Sequence, residues 1–118
     1  MESSDITPFT HPVGKIVMYD MFLKDTELQY LLVIGEGGTG KSFSLTRALK
    51  NNQVHSEIHI LYGNDEDSEP TILSATDESL PIKYITHRLS LSDSEKEEYL
   101  AKHPDAWIIK FVGQFPKA

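Results

Sequence analysis

A small three-layer α/β domain with a mostly parallel sheet is what this sequence predicts, on three observations that follow one another along the chain. "LQYLLVIG", residues 28–35, is a continuous apolar run closed by a glycine, the pattern of a strand buried on both faces of a parallel sheet. "KSFSLTRALKNN", residues 41–52, places Leu45, Ala48 and Leu49 on one helical face and ends in two asparagines, which favour helix termination. "SEIHILYG", residues 56–63, reads as a second strand, with Ile58 and Ile60 on one side and His59 and Leu61 on the other. Strand, glycine loop, helix and strand together make a βαβ unit, whose crossover is right-handed almost without exception.

The other elements follow from weaker signals. Residues 1–13 carry Ser, Thr, Asp and two prolines without periodicity and read as a flexible arm or an extended strap, leaving 14–118 as the domain. "KIVMYDMFL", residues 15–23, is apolar and fits either a short helix or a buried strand. "NDEDSEP", residues 64–70, is an exposed acidic loop, and "TILSA" and "IKYITHRL" are short strands, the second rich in β-formers. "SDSEKEEYLAKH" opens with Ser92 and Glu95 at capping-box spacing and stops at Pro104, a surface helix held by Tyr99 and Leu100. "AWIIKFVGQF" is the last strand, opened by Trp107 as a core residue.

Composition removes several function classes. The 118 residues suit one domain with a modest core, and 39% hydrophobic with 25% charged residues is ordinary for a folded protein. A net charge of -7 repels a nucleic-acid backbone, and Lys15, Arg47, Lys50, Lys83, Arg88 and Lys110 are too dispersed in sequence to make a basic patch, so they read as solvated surface. The absence of cysteine rules out disulfides, thiolate metal sites and a cysteine nucleophile, and suits an intracellular setting. No apolar run has the length of a membrane span and the N-terminus has no signal-peptide pattern, so no membrane association is expected. The histidines at 11, 55, 59, 87 and 103 lack metal-ligand spacing; His59 and His87 read as packed or partly buried.

The loop between the first strand and its helix carries the chemistry. Gly35, four residues, then Gly40, Lys41 and Ser42 is a spacing that arises by chance in roughly half a percent of chains this long. Phosphate binding needs a row of inward-pointing backbone N–H groups, and Gly35, Gly37, Gly38 and Gly40 supply the freedom to form it. Lys41 can reach β and γ phosphates, the Ser42 hydroxyl can ligate a bridging magnesium ion, and the helix that begins there aims its positive end at the same place.

On "GEGGTGKSF" the chain resembles the P-loop NTPases over about residues 28–50, and this loop variant is most similar to superfamily-one DNA helicases and helicase-like ATPases of viruses and mobile elements. The resemblance implies ATP or another NTP with Mg2+ as cofactor, phosphate roles for Gly35, Gly40, Lys41 and Ser42, and a loop-lining role for Thr39. It also implies an NTPase acting in nucleic-acid transactions or viral assembly. Nucleic acid would be reached through a protein partner or self-association, since a helicase motor needs two such domains and this length holds one; a truncated motor has the same look.

Hydrolysis needs a carboxylate at a neighbouring strand end and a group that orients water. Asp65, after "IHILYGN", and Asp77, after "TILSAT", are the candidate acids. Asp20 follows an apolar run but precedes the loop. Gln114, at the tip of the last strand, is the candidate γ-phosphate sensor, and Arg88 the candidate phosphate clamp. Two other functions compete with the NTPase reading: a non-catalytic structural or interaction protein that keeps the P-loop fold, and a small phosphotransferase.

Overall fold

The computed structural model describes residues 6–51, 57–62, 71–73 and 82–114, and within them a six-stranded sheet is flanked by three helices. The strands are β1 (Thr7–Phe9), β2 (Tyr30–Ile34), β3 (Ile58–Tyr62), β4 (Thr71–Leu73), β5 (Lys83–Arg88) and β6 (Trp107–Phe111). The helices are α1 (Pro12–Lys24), α2 (Lys41–Asn51) and α3 (Asp93–Lys102). Sheet order is β1-β6-β2-β5-β3-β4, all neighbours parallel except the β3–β4 pair.

The apolar run of β2 puts it at the centre: Leu31, Leu32 and Val33 are fully buried, covered on both faces as a parallel strand must be. α1 and α2 pack together on one face, where Met18, Tyr19, Phe22, Leu45 and Ala48 join Leu31, Val33, Ile85 and Ile109 in a single core. α3 lies on the other face and buries no residue completely. Its hold is aromatic instead: His103, which caps it, stacks on Tyr30 with ring centroids 3.9 Å apart, and Tyr30 stacks on Tyr84 at 4.9 Å. Burial pushes the Tyr99 phenol up to about 12. The capping box expected at Ser92 is formed, Glu95 N donating to Ser92 Oγ at 3.2 Å and Ser92 N donating to Glu95 Oε1 at 2.9 Å.

The N-terminal segment differs from a free arm. Thr7–Phe9 pairs with β6 as an edge strand, and α1 begins at Pro12, whose missing N–H costs nothing at the first helical position. The ambiguous run that follows is helix. It is apolar on every side, with Val13, Val17 and Met21 exposed opposite Met18 and Phe22, which is why periodicity does not identify it.

Two lysines expected in solvent are buried. Lys15 is 0% and Lys83 2% exposed. Lys83 donates to the carbonyls of Asp25 at 2.5 Å and Leu28 at 2.7 Å, closing the C-terminus of α1. Among the described residues no helix is long and apolar enough to cross a membrane.

Candidate functional site

The parallel arrangement gathers the carboxyl ends of β2, β5 and β6 on one edge, where residues 35–40 link β2 to α2. Ligands of open α/β sheets lie at that edge. A cleft of about 460 Å³ opens there between Gly35, Glu36 and Thr39 of the loop, Leu89 and Ser90 after β5, and Lys110 of β6.

The loop is closed by its own groups. Thr39 donates its Oγ1 hydroxyl to Glu36 O at 2.7 Å and its N–H to the same oxygen at 3.3 Å. Gly38 has φ of +86°, and a Cβ built on it would stand 2.6 Å from Gln114 Oε1, so the Gln114 side chain lies directly against the loop. At Gly35 a Cβ would come within 3.2 Å of Phe111 O, so the loop leaves β2 pressed against β6.

Lys41, the first residue of α2, turns its ammonium back onto Gly35 O, with Glu36 O at 3.3 Å. Desolvation lowers its pKa. Ser42 is exposed at the next position. Ammonium and backbone carbonyls form a contact that anionic oxygens can displace, because an anion adds the attraction of a full charge to the ammonium where a carbonyl offers only a dipole.

Three residues of the α1 face support this edge from below. Lys15 Nζ donates to Thr39 O at 2.9 Å, Val112 O at 3.0 Å and Gly113 O at 3.3 Å, tying the loop to the exit of β6. The Tyr19 hydroxyl donates to Lys41 O at 2.9 Å and meets His87 Nε2 at 2.8 Å. His87 is 3% exposed, and burial, reinforced by the nearby Lys41 charge, pushes its pKa down to about 4.

Gly35, Gly37, Gly38, Thr39, Gly40, Lys41, Ser42 and Gln114 are thus brought to one edge. Asp65 and Asp77 lie outside the described residues. Asp20 sits within α1. Arg88 is engaged on the α3 side, its Nη2 donating to Glu95 Oε2 at 2.6 Å, where it secures the first turn of that helix. Tyr19 was not singled out by sequence reasoning, Lys15 was read as solvated surface and is buried, and His87, read as packed or partly buried, is buried at the base of the loop. The available signal is alternation: Lys83, Ile85 and His87 share the inward register of β5, so a basic residue and an imidazole occupy core positions.

No family model, curated protein or solved structure matches this chain.

Proposed function

We propose that this chain is a P-loop protein that binds a nucleoside triphosphate through residues 35–42. The observation that carries the reading is the position of Lys41: at the N-terminus of α2, with its ammonium parked on carbonyls of an exposed glycine loop at the carboxyl edge of a parallel sheet. A triphosphate would take over those contacts and add the backbone N–H groups of the loop and the positive end of the helix. The adjoining cleft of about 460 Å³ falls in the range of small-ligand sites. Gln114, packed on Gly38, supports a role in reading the terminal phosphate.

Binding, rather than turnover, is the proposal. Turnover would need an acid for which Asp65 and Asp77 remain the candidates, and a setting in nucleic-acid transactions or viral assembly rests on the resemblance of the loop. A second reading, an interaction protein that keeps the same loop, is favoured by one observation. Val13, Val17 and Met21 form an exposed apolar stripe along α1, suited to a protein partner or a second copy.

Equilibrium dialysis against ATP, ADP and AMP separates the two. The nucleotide reading expects affinity to fall at least about tenfold from tri- to monophosphate, since each phosphate lost removes charge-assisted bonds. Equal, negligible retention of all three leaves the interaction protein.

A further inference from the structure

A trans peptide points the C=O of one residue and the N–H of the next in opposite directions, so the places where a loop's carbonyls are held decide where its N–H groups point. In residues 35–42 several carbonyls are held from within. Gly35 O and Glu36 O receive the Lys41 ammonium, and Glu36 O also receives the Thr39 hydroxyl at 2.7 Å and the Thr39 N–H at 3.3 Å. Gly40 O receives Ser44 N at 2.8 Å as the first turn of α2 closes.

Two further carbonyls are held by α1. Lys15 donates to Thr39 O at 2.9 Å and Tyr19 donates to Lys41 O at 2.9 Å, and both side chains are 0% exposed. Positions 15 and 19 are one helical turn apart and share a face of α1. With Thr39 O turned to Lys15, the Gly40 N–H is turned away from α1; with Lys41 O turned to Tyr19, so is the Ser42 N–H. Glu36 O, turned into the loop, turns the Gly37 N–H out of it.

The dihedral angles agree. Gly38 and Gly40 have φ of +86° and +91°, and no described residue other than glycine has a positive φ, so the sign alternates from Gly38 to Lys41. Alternation of this kind turns successive N–H groups to one side of the chain and makes a concavity for an anion. Among the described residues, no hydrogen bond uses the N–H of Gly37, Gly38, Gly40, Lys41 or Ser42. Lys15 has a second attachment, to Val112 O at 3.0 Å and Gly113 O at 3.3 Å, just before Gln114, whose side chain lies against Gly38. One ammonium thus fixes both the loop and the segment packed on it.

We propose that Lys15 and Tyr19 are the positioning residues of the phosphate loop: by holding its carbonyls toward α1 they keep its N–H groups turned outward, so that a polyphosphate meets a preformed site. Both are enclosed and act through the loop, not by touching the ligand. A loop ordered in advance spares the ligand the cost of ordering it, which is affinity gained. This rests on the nucleotide reading above.

The experiment is ATP binding by the full chain, followed through the amide resonances of Gly37, Gly40 and Ser42 in isotope-labelled protein. Tyr19→Phe removes one hydroxyl and no charge, and should weaken binding by about three- to tenfold, the scale of one lost hydrogen bond. Lys15→Met should weaken it by at least about tenfold, since it frees Thr39 O and the Gln114 segment together. Lys83→Met takes a buried lysine from carbonyls at the other end of the sheet and should bind within about twofold of wild type, which separates positioning from general loosening of the fold. Tyr19→Phe that binds as the wild type does overturns the proposal whatever Lys15→Met does, because the charge of Lys15 alone would attract an anion; the nucleotide reading then stands. Should Lys15→Met fail to fold, Tyr19→Phe decides. Absence of ATP binding by the wild type overturns the nucleotide reading and this inference with it.

Discussion

Lys83 and Lys41 stand at opposite ends of the same parallel sheet and make the same kind of contact, an ammonium donating to backbone carbonyls under a lowered pKa. Their partners differ. Lys83 binds the carbonyls of Asp25 and Leu28, in a turn whose geometry is fixed by the Asp25 carboxylate accepting from Glu27 N at 2.7 Å and Leu28 N at 2.9 Å, and it lies 4.6 Å from the centre of the Phe22 ring. Lys41 binds the carbonyls of Gly35 and Glu36, at the start of a loop whose next residues are exposed and rich in glycine. Displacing the first set would undo the end of α1. Displacing the second costs little of the fold. A lysine that holds structure and a lysine available to a ligand are thus separated by what their carbonyls belong to and by burial, Lys83 being buried and Lys41 half-buried, not by pKa direction.

The most forceful way to break the comparison is to exchange the two roles. Lys83→Met should lower unfolding free energy by about 3 kcal/mol in urea titration, the scale of taking a charged donor away from two backbone carbonyls, and should leave nucleotide affinity intact. Lys41→Met should cost less than about 1 kcal/mol, because its carbonyl partners can turn to water. Equal losses from the two variants would erase the distinction.

The His87 imidazole sharpens it on the carboxyl side. Its folded pKa, about 4, lies below the ordinary 6.5, so the unfolded chain binds the extra proton first. Its contribution to stability is present above pH 6.5 and is lost as pH falls toward 4. Between pH 7.5 and 5 this residue should account for roughly 2 kcal/mol of lost stability, and His87→Gln should remove that part of the slope. An unchanged slope would place the imidazole in an open, solvated environment.

A smaller effect than those of Lys83 and His87 belongs to the face away from Lys41. Ser92→Ala should cost about 1 kcal/mol through the lost cap and raise amide exchange in the first turn of α3, without changing nucleotide affinity. A parallel loss of affinity would show that α3 and the loop act as one unit.

The stretch from β2 through α2 to β3 was legible because each part declares itself locally: a double-faced apolar run, a glycine cluster, a 3.6-residue period, then alternating Ile58 and Ile60. α3 was legible from Ser92 and Glu95 alone. β1 was not, since three edge residues that include Pro8 have no period to read and gain their strand character from β6. α1 stayed ambiguous because its exposed side is as apolar as its buried one. In the site, the glycines, Lys41 and Ser42 were plain in the sequence, and Gln114 was reached by its place at a strand tip. Tyr19 and His87, 68 positions apart, meet only in the folded sheet, and nothing local distinguishes such a pair from ordinary core residues.

Titration calorimetry of ATP into the wild-type protein and into Lys41→Met tests the central claim most directly. The wild type should bind with micromolar affinity and the variant at least about a hundredfold more weakly, with an unfolding temperature lowered by no more than about 5 °C. Equal binding by both proteins, or none by the wild type, would contradict it.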